Sequence, residues 1–139
     1  MNLELNMRIA GLLMLLVALS HFCFPRWFAW KTELAELSLI NRQIFIVQTV
    51  FVVLTLVLVA TLTSIWTRQI LNGGELGRAL LTGLAIFWLV RLVVQIFVYD
   101  PRLWMGNAGK TTLHLLVTLL CAYLTTLFGW AAFAVETRS

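Results

Sequence analysis

Arg91 is the residue that packing alone explains least. It interrupts an otherwise uncharged run from Ala79 to Tyr99. Gln95 and Tyr99 follow it at intervals of four, so all three fall on one helical stripe. Counting back from Asp100 at 1.5 Å per residue puts Arg91 about 13 Å into a membrane span, near the midplane. Snorkelling carries a guanidinium only about 6–7 Å along its stem. No Asp or Glu lies at that depth, and Asp100 is two and a half turns away on the same helix. A buried guanidinium without a carboxylate must find Gln95, helix carbonyls, water or a bound anion.

Four more polar side chains fall into one layer. At 1.5 Å per residue, His21 lies about 7 Å from Arg26, His114 about 6 Å from Lys110, Gln48 about 9 Å from Arg42, and Gln95 about 7 Å from Asp100. A polar pocket opening toward one membrane face is therefore expected. Arg91 forms its floor, and Gln95, Gln48, His21, His114 and Tyr99 form its walls. On the second span Asn41, Gln48 and Thr55 recur every seven residues. On the fourth, Thr111, His114, Thr118, Cys121 and Thr125 follow a 3-4-3-4 pattern. A purely structural alternative stands beside this. Threonines and cysteines on membrane helices often pack closely or bond a carbonyl one turn back, and glutamine or histidine can join neighbouring helices.

Other chemistry is poorly supplied. Gly106-Asn107-Ala108-Gly109-Lys110-Thr111-Thr112 imitates the end of a nucleotide-binding loop, but the first glycine of that motif is replaced by Trp104 and no strand precedes it. No nucleotide or nucleic acid is expected as partner. What survives there is a lysine beside a helix start, suited to a lipid phosphate. Cys23 and Cys121 differ too much in depth for a disulfide, and there is no Cys-x-x-Cys. No Ser-His-acid set or pair of carboxylates provides a nucleophile and base, so catalysis is not expected. His21, His114 and Asp100 are the one candidate metal set. His21 and His114, on the first and last spans, are also candidate axial ligands for haem. The chain lacks the membrane glutamate of small multidrug exporters and the several helix histidines of four-helix cytochromes.

These residues must be held by membrane helices. The 139 residues are 61% hydrophobic and 12% charged, with mean hydropathy +0.94. A water-soluble domain carries about a quarter charged residues, so neither a soluble globule nor a disordered chain fits. Uncharged runs of 17, 25 and 25 residues (Ile9–Pro25, Gln43–Thr67, Thr111–Val135) join the 21-residue run that holds Arg91. A hydrocarbon core of about 30 Å takes roughly 20 helical residues. The spacing predicts four transmembrane helices near 7–27, 42–67, 77–99 and 111–135. They form one domain, residues 1–139, an all-α up-down bundle. The first is read as a span rather than a signal peptide, although Ala18-Leu19-Ser20 has the form of a cleavage site. Residues Thr32–Leu37 read as a short amphipathic helix at the interface, capped by Thr32. Asn72-Gly73-Gly74 and Asp100-Pro101 mark the other two turns.

Basic residues divide almost evenly between the two faces. Arg26, Lys31, Arg42, Arg102 and Lys110 fall on the side of the first and third loops, and Arg8, Arg68, Arg78 and Arg138 on the side of both termini. The cytoplasm is the expected side for both termini. Arg26, Arg42 and Lys110 are expected at lipid headgroups. The repeated pattern Phe24-Pro25-Arg26-Trp27 and Asp100-Pro101-Arg102-Leu103-Trp104 hints at two related hairpins. A chain of 15.8 kDa offers little interior of its own, so a homo-oligomer in the lipid bilayer is expected. The expected function is a channel or transporter for a small anionic solute. The alternatives are a haem- or quinone-binding redox subunit, and a non-catalytic structural or lipid-binding membrane protein.

Overall fold

The structure is a computed structural model that describes residues 2–136. Arg138, assigned above to the face of the termini, lies outside the described residues. The described chain is helical, with no strand, and four of its helices are long and apolar enough to cross a membrane: Leu3–Ser20, Leu39–Ile65, Gly74–Phe97 and Ala108–Val135. The chain divides into two compact units, Met1–Thr67 and Arg68–Ser139.

The first unit is a helical hairpin of α1 (Leu3–Ser20) and α4 (Leu39–Ile65). α1 starts earlier than the charge pattern implied. Asn2 Oδ1 accepts from the Leu5 N–H at 3.2 Å, and the Glu4–Arg8 ion pair at 2.9 Å ties the first turn together. It also stops earlier, at Ser20. The Ser20 hydroxyl and His21 Nδ1 both bond the Val17 carbonyl, at 2.7 and 2.8 Å. Pro25, which has no N–H, then sits in the first turn of the short α2 (Phe24–Trp27) instead of continuing the span. Small residues let the two long helices approach. A Cβ on Gly11 would collide with Ser64 Oγ and with the Ala60 carbonyl oxygen. Near the other end, His21 shares a cavity wall with Arg42 and Ile46, so the helices run antiparallel. α1 buries Met7, Ala10, Met14 and Ala18; α4 buries Leu56, Ala60 and Thr63. Both sets repeat at helical spacing.

The connection departs from the expected amphipathic helix. Ala29, with φ +48° and ψ +40°, takes the left-handed conformation and starts α3 (Trp30–Glu33), followed by a 3₁₀ turn over Leu34–Glu36. Thr32 is inside α3 and is not its cap, because the reversal at Ala29 sets the helix start two residues earlier.

In the second unit α5 (Thr67–Leu71), which begins at the last residue of the first, leads through Asn72 and Gly73 into α6 (Gly74–Phe97). α6 packs against α7 (Ala108–Glu136) as a second hairpin. Gly74 adopts φ +54°, which a glycine accommodates without a Cβ penalty. α6 buries Gly77, Leu81, Trp88 and Gln95. α7 buries Cys121, Leu124, Leu127, Phe128 and Ala131. Between them, Asp100 Oδ1 accepts from the Arg102 N–H at 2.9 Å and starts a 3₁₀ turn over Pro101–Leu103. Gly106, at φ +84°, then reverses the chain. Asn107 Oδ1 accepts from the Lys110 N–H at 3.0 Å, capping α7 three residues before the predicted start.

Candidate functional site

The second hairpin assembles a continuous polar chain across its two helices. Arg91, on α6, donates to Gln95 Oε1 at 2.8 Å, and its guanidinium carbon stands 5.8 Å from the centre of the Tyr99 ring. Gln95 Nε2 meets His114 Nδ1, on α7, at 2.8 Å. The His114 ring is stacked on Trp104, with centroids 3.7 Å apart and planes 14° from parallel.

The hydrogen-bond inventory fixes the direction of this chain. Arginine has only donors, so Gln95 must turn its oxygen toward Arg91. Its NH₂ group then faces His114, and Nδ1 must be the acceptor. His114 therefore carries its ring proton on Nε2. Gln95 is only 5% exposed while Arg91 and His114 are half-buried, so the amide ends of both bonds are shielded, where hydrogen bonds are electrostatically stronger.

The surroundings hold each member in place. The Thr111 hydroxyl donates to the Trp104 carbonyl at 2.9 Å and to that of Asn107 at 3.1 Å, tying the loop to the first turn of α7. Thr118 donates to the His114 carbonyl, and Thr125 to that of Cys121, each at 2.8 Å. These back-bonds are the structural role weighed for the threonine stripe. Asp100 is the acid nearest to Arg91 in sequence, but it is engaged elsewhere. Arg102 Nε approaches its two oxygens at 3.0 and 2.9 Å, and a second guanidinium nitrogen reaches Oδ2 at 2.5 Å. The side-chain bond to Arg102, helped by the backbone one, holds the Asp100 carboxyl below the usual carboxylate range.

Arg91 has no carboxylate partner among the described residues. Its hydrogen bond is to a neutral amide. One turn earlier on α6, Trp88 is 5% exposed and its indole N–H is buried without an acceptor. This stretch of α6 therefore holds more donors than acceptors, with a full positive charge among them.

The sequence candidates on the first hairpin are arranged differently. His21 donates through Nδ1 to the Val17 carbonyl, and its ring centre lies 4.8 Å from that of Phe24. With Arg42 it lines a cavity of about 620 Å³. Gln48 is exposed, as are Asn41 and Thr55; the α4 residues that line the cavity are Arg42, Ile46, Thr49, Val50 and Val53. The polar stripe of α4 thus lies on the exposed face of this chain, while its buried face is Leu56, Ala60 and Thr63. Arg26 and Lys110 are exposed. Both cysteines are free, Cys23 exposed and Cys121 buried. Among the described residues no three His, Cys, Asp or Glu side chains form a group able to hold a metal ion.

Sequence reasoning missed two features. In the sequence Trp104 stands out only as the residue that breaks the nucleotide-binding motif and as the end of a repeated pattern, whereas its ring is the platform under His114. Gly106, two residues later, was the available signal, because a left-handed glycine folds the loop back on itself. The cavity was also missed, although Arg42, Ile46, Thr49 and Val53 recur at helical spacing. Comparison with protein-family models, curated proteins and solved structures finds no match to this chain.

Proposed function

We propose that this chain is one subunit of an oligomeric membrane channel or transporter for a small anionic solute, with Arg91 as the attracting charge. One observation carries this reading: among the described residues the positive charge of Arg91, on a helix long and apolar enough to cross a membrane, meets no carboxylate, only the neutral Gln95 amide and the face of the Tyr99 ring. A charge inside a membrane is costly unless a partner or a conducted ion offsets it. Arg91 is six residues from the end of α6, about 9 Å along the helix. The unpaired Trp88 N–H adds a second donor suited to an anion. In this reading Gln95 and His114 orient the guanidinium. The segment Trp30–Glu36 lies at the interface and both termini are cytoplasmic. The exposed polar stripe of α4, with Gln48, faces a second copy.

The test is anion release from proteoliposomes loaded in turn with chloride, nitrate and phosphate. Wild type should release at least one of them faster than protein-free liposomes. Arg91→Leu should abolish release while helix content holds, with no more than the modest fall in melting temperature that follows from leaving Gln95 Oε1 without its donor. Arg91→Lys should restore little, because an ammonium lacks the planar fork. No release by wild type, or unchanged release by Arg91→Leu, would reject the reading.

A further inference from the structure

The cavity of the first hairpin has a composition that the anion pathway does not use. One wall is a single stripe of α4, running Arg42, Ile46, Val50, Val53. Eleven residues separate its ends, about 16 Å of helix. Half of a hydrocarbon core of about 30 Å is about 15 Å, so the stripe spans one leaflet. It starts at a cation and continues as branched aliphatic side chains. Across from it, the reversal at Ala29 brings Trp30 and Lys31 to the same cavity. Trp30 is fixed there edge-on against Phe45, with ring centres 4.9 Å apart.

The charges are one-sided. Lys31 and Arg42 line the cavity, no acid does, and neither cation has a carboxylate partner among the described residues. The volume of about 620 Å³ lies within the range of small-molecule sites, roughly 300–1,000 Å³. The occupant must therefore be an amphiphile with a negative head and an apolar tail of one-leaflet length.

We propose that this cavity holds one anionic phospholipid, its phosphate at Arg42 and Lys31 and one acyl chain along Ile46, Val50 and Val53. A zwitterionic lipid would carry its own cation toward the same two cations. The site therefore selects net negative headgroups, as basic clefts beside membrane helices do. The proposal rests on the first hairpin alone and stands whether or not Arg91 conducts anions.

Trp30 supplies the reporter. The full chain is reconstituted in phosphatidylcholine vesicles containing increasing fractions of brominated-chain phosphatidylglycerol or, in parallel, brominated-chain phosphatidylcholine. The Trp30 signal is the difference between wild type and Trp30→Phe. Phosphatidylglycerol should quench it at about thirtyfold lower mole fraction, the ratio expected if two cations each favour the anionic head. Lys31→Gln with Arg42→Gln should bring the two midpoints together. Arg26→Gln, an exposed cation of the same connection outside the cavity wall, should leave the preference intact. Equal midpoints in wild type would overturn the proposal. So would a loss in Arg26→Gln as large as in the double variant, since that would mean diffuse surface attraction. If the double variant loses helix content, Val53→Phe narrows the apolar stripe instead. One retained phosphatidylglycerol per wild-type chain in native mass spectra should then fall to none, and retention by Val53→Phe would count against the site.

Discussion

Gln95 and His114, nineteen residues apart in sequence, are joined at 2.8 Å across the second hairpin. The polarity of that bond is dictated from the far side of Gln95, where Arg91 can only donate. One amide thus serves two helices and a charge, with its oxygen on Arg91 and its nitrogen on His114. A double-mutant cycle of Gln95→Leu and His114→Phe should therefore show coupling. Interhelical hydrogen bonds in membranes are worth about 0.6 kcal/mol on average and up to about 1.7. His114→Phe alone should cost more, about 1–3 kcal/mol, because it leaves the buried Gln95 NH₂ unpaired. Thermal unfolding in detergent for all four proteins checks both values, and additive effects would show that the two side chains act independently.

How much of this was legible in sequence depends on the range of the interaction. The four spans could be read because charges bound long apolar runs, a one-dimensional signal. Their ends shifted by a few residues where a local device intervened: the Asn2 and Asn107 caps, Pro25, and the turn at Ala29. Arg91, Gln95 and Tyr99 share a stripe at i+4 spacing, so their neighbourhood was also legible. The pairing of Gln95 with His114 was foreshadowed only as equal depth, because depth along a helix does not specify facing. Gln48 shows the consequence. It has the right depth, but its helix turns Leu56, Ala60 and Thr63 inward, where Ala60 and Thr63 stand against Gly11 of α1, and that close approach outweighs a seven-residue polar repeat.

The Trp104–His114 stack yields a second expectation. Parallel rings 3.7 Å apart exclude water from one face of the imidazole, and aromatic pairs contribute about 0.5–1.5 kcal/mol beyond buried area. Trp104→Leu should lower stability by about that amount, and Trp104→Phe by less. Equal losses in the two variants, measured by thermal unfolding, would mean that area alone matters.

Asp100 carries a pH dependence whose sign can be worked out. Its carboxyl is held below its ordinary value of 3.8 by Arg102, so the folded loop binds that proton less readily than the unfolded chain does. The stabilisation is fully present above the unfolded carboxylate value and is lost as pH falls through the depressed one. Carbon-13 spectra should show Asp100 titrating below 3.8 in wild type and returning toward 3.8 in Arg102→Gln. A wild-type midpoint at or above the ordinary value would contradict the bridge.

Two glycines should respond to alanine in opposite directions. A Cβ at Gly11 would stand 2.8 Å from the Ala60 carbonyl oxygen, in addition to its collision with Ser64 Oγ. The hydroxyl can rotate away, but the backbone oxygen cannot move without separating α1 from α4. Gly11→Ala should therefore destabilise the first hairpin by about 1–3 kcal/mol, the usual cost of overpacking. Gly83, inside α6, has nothing within 4 Å of its virtual Cβ. There alanine removes only the conformational freedom that glycine loses on folding, so Gly83→Ala should stabilise by about 0.5–1 kcal/mol. Thermal unfolding of both variants in the same detergent compares them directly. Because both substitutions add one methyl group to an apolar helix, hydrophobicity cancels between them. Opposite signs then isolate the close contact at Gly11, whereas stabilisation by both would mean that α1 and α4 are not packed through that glycine.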